Sequence, residues 1–280
     1  MSRDKKPRSI RKRPLATLLA ERGLFETEDE ARRWVMSGKV LANGQRIDKP
    51  GMLVPGDAVL DVQGRHRYAS RGGYKLEAAL AHFHVMAAGR AALDSGASAG
   101  GFTDCLLQHG AAVVYAVEVG YGQLVGRLRA DPRVRNLERT NLSDLTPAAL
   151  NPLPTLITLD LSYLSLTKAL PIAARLLESE GEVLALLKPL FEVTSATARR
   201  TGYIGDSVLL IAALRRVLQA GAEAGLMPLG IAKLALRPRH GVTEFFVYFV
   251  RGMNCAPWAC DDAMLAEIIA GPGIGNTEEK

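Results

Sequence analysis

Two lysines and two acids, Lys75, Asp160, Lys188 and Glu244, stand where one site could gather them. Asp160 closes an apolar run in "LDLS" and Lys188 closes another in "LLKP". Glu244 opens a third in "TEFFVYF", and Lys75 lies at the start of the amphipathic stretch "GYKLEAALAHF". A lysine held between apolar residues and a proline is costly unless paired, so acid partners are expected. Each of the four taken singly reads equally well as a salt-bridging surface charge. Together they form a cluster able to take up and hand on a proton.

A second constellation lies between Lys75 and Asp160. The apolar run ending at Asp94 is followed by "SGASAGGF", in which Gly96 and Gly100 allow a tight turn. Gly101 opens the next helix and lets the backbone approach a ligand closely. Glu118 closes the next apolar run, where a carboxylate can accept hydrogen bonds from ribose hydroxyls. The dinucleotide pattern G-x-G-x-x-G is not met. An acid-led glycine loop followed by an acid at the end of strand two is the layout of S-adenosylmethionine sites, so that cofactor is expected. The cofactor-binding set is read as Asp94, Gly96, Ser98, Gly100, Gly101, Phe102, Glu118, Asn141 and Asp160. The same residues satisfy G-x-S-x-G, the elbow of a hydrolase nucleophile, with His240 following. That elbow needs an earlier strand to supply the second oxyanion donor, and only a helical stretch of this domain precedes it.

The elements that must position these residues alternate. Short apolar strands are expected at "AALDSG", "AAVVYAVEVG", "RVRNLERTN", "TLITLDLSYL", "GEVLALLKP", "LGIAKLALR" and "TEFFVYFVRG". Helical patterns lie between them, among them "GGFTDCLLQHG", "YGQLVGRLRAD", "SLTKALPIAARLLESEG" and "DSVLLIAALRRVLQAGAEAG". Alternation of this kind means an α/β domain, a mostly parallel sheet with helices on both faces. The last two strands are expected to pair antiparallel.

The first sixty residues read differently. Residues 1 to 13 hold seven Lys or Arg and one acid, which accounts for the whole net charge of +6. A block this dense should be disordered and should seek a polyanion. Two helices follow, the second opened by a capping box of Thr27 and Glu30. Then come short β-rich runs broken by Asn43-Gly44, Pro50-Gly51 and Pro55-Gly56. The segment "EARRWVMSGKVLANGQRIDKPG" resembles the S-four RNA-binding domain. Arg32, Arg33 and Lys39 would form its RNA patch, continued by Arg65, Arg67 and Arg71 of a basic linker. The rest of this unit has more acids than bases, so binding would rest on the patch rather than on overall charge.

"SRGGYKL", "LDSGASAGGFTD", "VGYGQL", "LERTN", "LDLSYLSL", the "LLKP" and "FEV" segments and "TEFF" occur in the order of the TlyA family of hemolysin-type rRNA methyltransferases. The resemblance covers roughly residues 13 to 250. It implies an S-four domain, α+β, joined to an FtsJ-like, Rossmann-like class I methyltransferase domain with a seven-stranded, mostly parallel sheet. It also implies a Lys-Asp-Lys-Glu tetrad serving an RNA 2′-hydroxyl, with Lys75, Asp160, Lys188 and Glu244 at the matching positions and cytidine riboses of rRNA as targets. Lys188 would be the base, Lys75 the neighbouring cation that lowers its pKa, and the acids would orient the lysines. The chain departs from the family at Leu190, where Gln is usual. It departs again at "TSATARRTGYIGD", which replaces a glycine-rich segment, at "RPRHGV" before Glu244, and at Glu118, where Asp is commoner.

The expected organisation is a basic tail over 1–12, an S-four domain over 13–63 and a linker over 64–71. A methyltransferase domain over 72–254 and a C-terminal helix and tail over 255–280 complete it. Ribosomal RNA or ribosomal subunits are the expected partners. Cys105, Cys255 and Cys260 form no C-x-x-C pair, which argues against bound metal and fits a reducing cytoplasm. No apolar run approaches the roughly 18 residues of a membrane span. The competing function is a noncatalytic RNA-binding ribosome factor that keeps the methyltransferase fold.

Overall fold

The computed structural model describes residues 11–22, 24–25, 27–64, 67–193, 195–201, 204, 206–235, 243–252, 258 and 260–275. The basic tail up to residue 10 lies outside them. The chain divides into two compact units between Arg67 and Tyr68.

The first unit runs β1 (Lys12–Pro14), α1 (Leu15–Glu21), α2 (Glu28–Met36), β2 (Val40–Ala42), β3 (Gln45–Ile47), β4 (Leu53–Pro55) and β5 (Leu60–Val62). Its core gathers Leu15, Leu18 and Leu19 of α1, Ala31 and Val35 of α2, and Val40, Ile47 and Val54 of the strands. The Thr27 side chain accepts from the Glu30 N–H and so caps α2, as the sequence leads one to expect. The strands form two sheets, not one. β2 sits between β3 and β5, while β1 pairs antiparallel with β4. The end of the basic segment is therefore a strand: Lys12 faces Pro55 and Pro14 faces Leu53.

The second unit runs α3 (Gly72–Phe83), β6 (Ala91–Ser95), α4 (Gly101–Gln108), β7 (Val113–Glu118), α5 (Gly126–Ala130), β8 (Val134–Glu138), β9 (Leu156–Leu159), α6 (Leu166–Leu176), β10 (Gly181–Leu187), α7 (Pro189–Glu192), α8 (Ala196–Thr201), α9 (Ser207–Glu223), β11 (Met227–Lys233), β12 (Phe245–Arg251) and α10 (Asp262–Ala270). Seven strands form one sheet in the order β11-β12-β10-β9-β6-β7-β8. All neighbouring pairs are parallel except those made by β12, which runs antiparallel to both β10 and β11. β9 and β10 are wholly buried, as strands of a sheet covered on both faces should be. One core packs α6 and α9 against the sheet, the other α3 and α4.

Three segments are shorter than the sequence suggests. The helix expected over "YGQLVGRLRAD" is confined to Gly126–Ala130. Before it, Gly122 adopts φ +69° and Val125 is extended. β8 stops at Glu138 because Arg139 takes a left-handed conformation, φ +55°. β9 ends at Leu159, and the chain then turns until Ser165 caps α6 with its side chain.

Candidate active site

The sheet order places the site. Moving from β6, the chain continues to β7 on one side and to β9 on the other. Ligands in such sheets bind at the carboxyl ends of the strands where the order reverses, here between β6 and β9. The residue following β6 is Gly96 and the residue following β9 is Asp160. Their backbones touch: a Cβ on Gly96 would lie 2.3 Å from the Asp160 carbonyl oxygen, and Gly96 has φ +88°. Only glycine fits there. The Asp160 N–H donates to the Ser95 carbonyl at 2.9 Å, which fixes the two loops in register.

The four charged residues fall into two pairs at this edge. Leu187 of β10 faces Phe245 of β12 as the last pair of their ladder, so Lys188 and Glu244 leave adjacent strands side by side. β9 lies on the other side of β10 and delivers Asp160. Lys188 Nζ lies 2.5 Å from Asp160 Oδ1 and donates to Ser162 Oγ at 2.8 Å. Asp160 Oδ1 is buried and takes no aligned hydrogen bond, so the ammonium balances it through charge. Lys75, in the first turns of α3, reaches across to Glu244 Oε2 at 2.5 Å. Both pairs are largely withdrawn from solvent, with side-chain exposures of 17% and 10% for Lys75 and Glu244, and 18% and 22% for Lys188 and Asp160. Burial at this level is where ion pairing matters most, because removing one partner strands the other charge.

The glycine loop is held by Glu118. Its two oxygens accept from the Ser98 N–H at 2.9 Å and the Gly120 N–H at 2.8 Å. Ser98 has φ +47°, and its hydroxyl is engaged with Gln123 at 3.2 Å. No histidine meets Ser98 among the described residues, and His240 lies outside them. Gly100, φ +97°, clears Leu124 and Leu128, and Gly101 packs on the Ser70 hydroxyl. Asn141 accepts from the Ser143 N–H at 3.1 Å and opens a short helical turn at Leu142–Asp144.

Two residues of the expected cofactor set face inward. Asp94 is fully buried and accepts from Thr103 Oγ1 at 2.7 Å and from Thr158 Oγ1 at 3.3 Å. Burial pushes its carboxyl up to about 7. The Thr103 bond opposes that shift and the nearby Asp160 charge adds to it. Phe102 is buried and stacks on Phe246, centroids 5.9 Å apart. Both therefore brace the first turn of α4.

Sequence reasoning assigned no role to Thr103, Thr158, Gln123 or Ser162. A signal existed for Ser162, which lies inside "LDLSYLSL" two residues after Asp160. The others are side chains whose meeting depends on tertiary contact.

In the first unit, Arg33 is exposed and Arg32 pairs with Glu28 one turn back. The Lys39 ammonium sits 5.2 Å from the centroid of the Trp34 ring. Arg67 and Arg71 are exposed, and Arg65 lies outside the described residues. Among the described residues no cluster of His, Cys, Asp and Glu could hold a metal ion, and no helix is long and apolar enough to cross a membrane.

Residues 68–251 match the model of the FtsJ-like methyltransferase family, and residues 13–60 match the S4 domain. The chain is 36% identical over 258 residues to the Mycobacterium tuberculosis 16S/23S rRNA (cytidine-2′-O)-methyltransferase TlyA, covering 91% of this chain and 96% of that one. The chain belongs to the TlyA family. Hemolysin A of Brachyspira hyodysenteriae is 32% identical over 229 residues, 81% of this chain and 95% of its own. A hemolysin-type structure from Streptococcus thermophilus superposes with a TM-score of 0.68 at 37% identity, over 93% of this chain and 95% of that one. The TlyA pairing of an S4 domain with an FtsJ-like methyltransferase domain thus spans nearly the whole chain. The chain is a methyltransferase of that family, and its family implies S-adenosylmethionine as cosubstrate.

Proposed function

We propose that this protein transfers a methyl group from S-adenosylmethionine to a cytidine ribose 2′-hydroxyl of ribosomal RNA, with Lys188 as general base. The observation that carries the reading is the double ion pair, Lys188 with Asp160 and Lys75 with Glu244, set beside the Gly96 loop. The rRNA and cytidine specificity rests on the relative whose name states it.

The loop fits the cofactor by its donor set. Each Glu118 oxygen takes one backbone N–H and retains a lone pair for ribose hydroxyls. Gly96, Ser98, Gly100 and Gly101 form the turn, Asp160 meets it at Gly96, and Asn141, in the segment after β8, is assigned to the same site. Asp94 and Phe102 serve it from behind, by fixing α4. The cofactor, when bound, supplies a methyl group activated by a positive sulfur, which becomes a neutral thioether on transfer.

A ribose hydroxyl is a poor nucleophile and must shed its proton as it attacks. Lys188, as a neutral amine, takes that proton from the 2′-oxygen while the oxygen–methyl bond forms. Asp160 then stabilises the resulting ammonium. Lys75, held by Glu244, places a second ammonium at the same edge of the sheet. A site that held hydroxyl, methyl and sulfur in line would provide much of the remaining acceleration. Arg32, Arg33 and Lys39 of the S4 unit grip RNA phosphates and shape, and Arg65, Arg67 and Arg71 of the connecting segment add positive charge for the same polyanion, since A-form RNA hides its base edges in the deep groove.

Mapping of 2′-O-methyl groups in rRNA from cells with and without the gene tests this. The reading expects one or a few cytidine positions to lose methylation in the deletion. An unchanged map contradicts it.

A further inference from the structure

We propose that Ser162 is a positioning residue for methyl transfer: its hydroxyl sets the direction in which the Lys188 amine receives the proton. The proposal rests on the reading of Lys188 as the base.

Two oxygens flank the Lys188 nitrogen. Asp160 Oδ1 acts on it by charge, without hydrogen-bond alignment. Ser162 Oγ holds it by an aligned hydrogen bond at 2.8 Å. Charge attraction is nearly indifferent to the rotation of an amine about its own Cε–Nζ bond, whereas a hydrogen bond is directional. A neutral amine has two N–H groups, its carbon, and one lone pair at the fourth tetrahedral position. With one N–H committed to Ser162 and the negative Asp160 carboxylate attracting the second N–H and repelling the lone pair, the lone pair has one favoured direction left. A lysine stem is otherwise flexible, so this constraint falls on the atom that must meet the substrate hydroxyl.

Ser162 is itself well held. The loop that carries it starts at Asp160, tied to Ser95 by a backbone hydrogen bond of 2.9 Å. It ends at Ser165 and Leu166, whose Oγ and N–H donate to the buried Glu192 at 2.6 and 2.8 Å. Glu192 lies in α7, the turn of helix that directly follows Lys188. The "FEV" segment thus braces the loop after β9 against the loop after β10. Ser162 is the point where the first loop reaches the reactive nitrogen of the second.

The test compares Ser162→Thr with Ser162→Val, which share a shape and differ in the hydroxyl. Both are assayed for methyl transfer to the rRNA substrate that the wild-type protein methylates, beside Lys188→Met. Ser162→Thr should retain kcat near wild type. Ser162→Val should lose about ten- to a hundredfold in kcat, with KM for RNA and S-adenosylmethionine affinity unchanged. Its rise of kcat with pH should also begin at lower pH, because the ammonium has lost an acceptor. Equal kcat and superimposable pH profiles for the two variants overturn the proposal. If that happens while Lys188→Met is inactive, only the role of Ser162 fails. If Lys188→Met is as active as wild type, the base assignment fails and Ser162 with it. Because the two Ser162 variants are isosteric, a general loss of folding moves both together and is seen as a common fall in melting temperature. In that case equal transfer per folded molecule counts against the proposal and unequal transfer for it.

Discussion

Gly96 and Asp160 meet backbone to backbone across the point where the strand order of the sheet reverses. One residue opens the glycine loop proposed to hold the cofactor and the other follows β9 beside Lys188, and the Asp160 N–H bond to Ser95 ties the two loops together. Gly96→Ala adds a methyl 2.3 Å from the Asp160 carbonyl at a backbone φ of +88°. It should weaken S-adenosylmethionine binding and lower kcat together, each by tenfold or more. A variant that loses affinity yet keeps kcat at saturating cofactor would show the loops to be independent. Calorimetry beside steady-state kinetics makes the distinction.

Asp94 provides a pH signature. Burial holds its carboxyl near 7 in the folded chain, against about 3.9 in an unfolded one. The folded state therefore binds this proton more tightly. The contribution to stability is full below about pH 4, falls as pH rises toward 7, and is absent above. Asp94→Asn has no proton to lose. Relative to wild type, its melting temperature should rise steadily between pH 4 and 7 and level off above, and parallel curves across that range would contradict the assignment.

The RNA-binding role proposed for Arg32, Arg33 and Lys39 predicts a salt dependence. Replacing Arg32, Arg33 and Lys39 by Ala should weaken rRNA binding and flatten the plot of log affinity against log salt. Each phosphate that is no longer neutralised takes roughly 0.7 to 0.9 from that slope. Affinity for S-adenosylmethionine should not change. An unaltered slope would move the principal RNA surface elsewhere, toward the methyltransferase unit.

Six of the seven strands of the larger sheet could be read from the sequence because each is a short apolar run between glycines, prolines and acids; β8, with Arg135, Asn136 and Glu138 among its five residues, was read from its place in the alternation, and the short helices α7 and α8 were not read. The antiparallel pairing of β11 with β12 followed from their adjacency. Glu118 and the glycine loop were legible because acids and glycines at strand ends carry positional meaning. The second small sheet was not legible, since β1 is three residues of a basic segment whose partner β4 lies forty residues on. The inward turn of Asp94 was not legible either. It depends on Thr158, which reaches it from β9, and no local pattern encodes such a meeting. The shortened α5 reflects glycines that the periodicity of apolar residues overrode.

Labelled methyl transfer follows the methyl group itself to its acceptor atom. Purified wild-type and Lys188→Ala proteins are incubated with methyl-labelled S-adenosylmethionine and rRNA, or ribosomal subunits, from cells lacking the gene. The RNA is then digested to nucleosides. The account predicts label in 2′-O-methylcytidine with the wild-type protein. With Lys188→Ala, transfer should fall by about a hundredfold or more, while calorimetry finds cofactor affinity retained. Label on a base rather than a ribose, or wild-type transfer by Lys188→Ala, would contradict it.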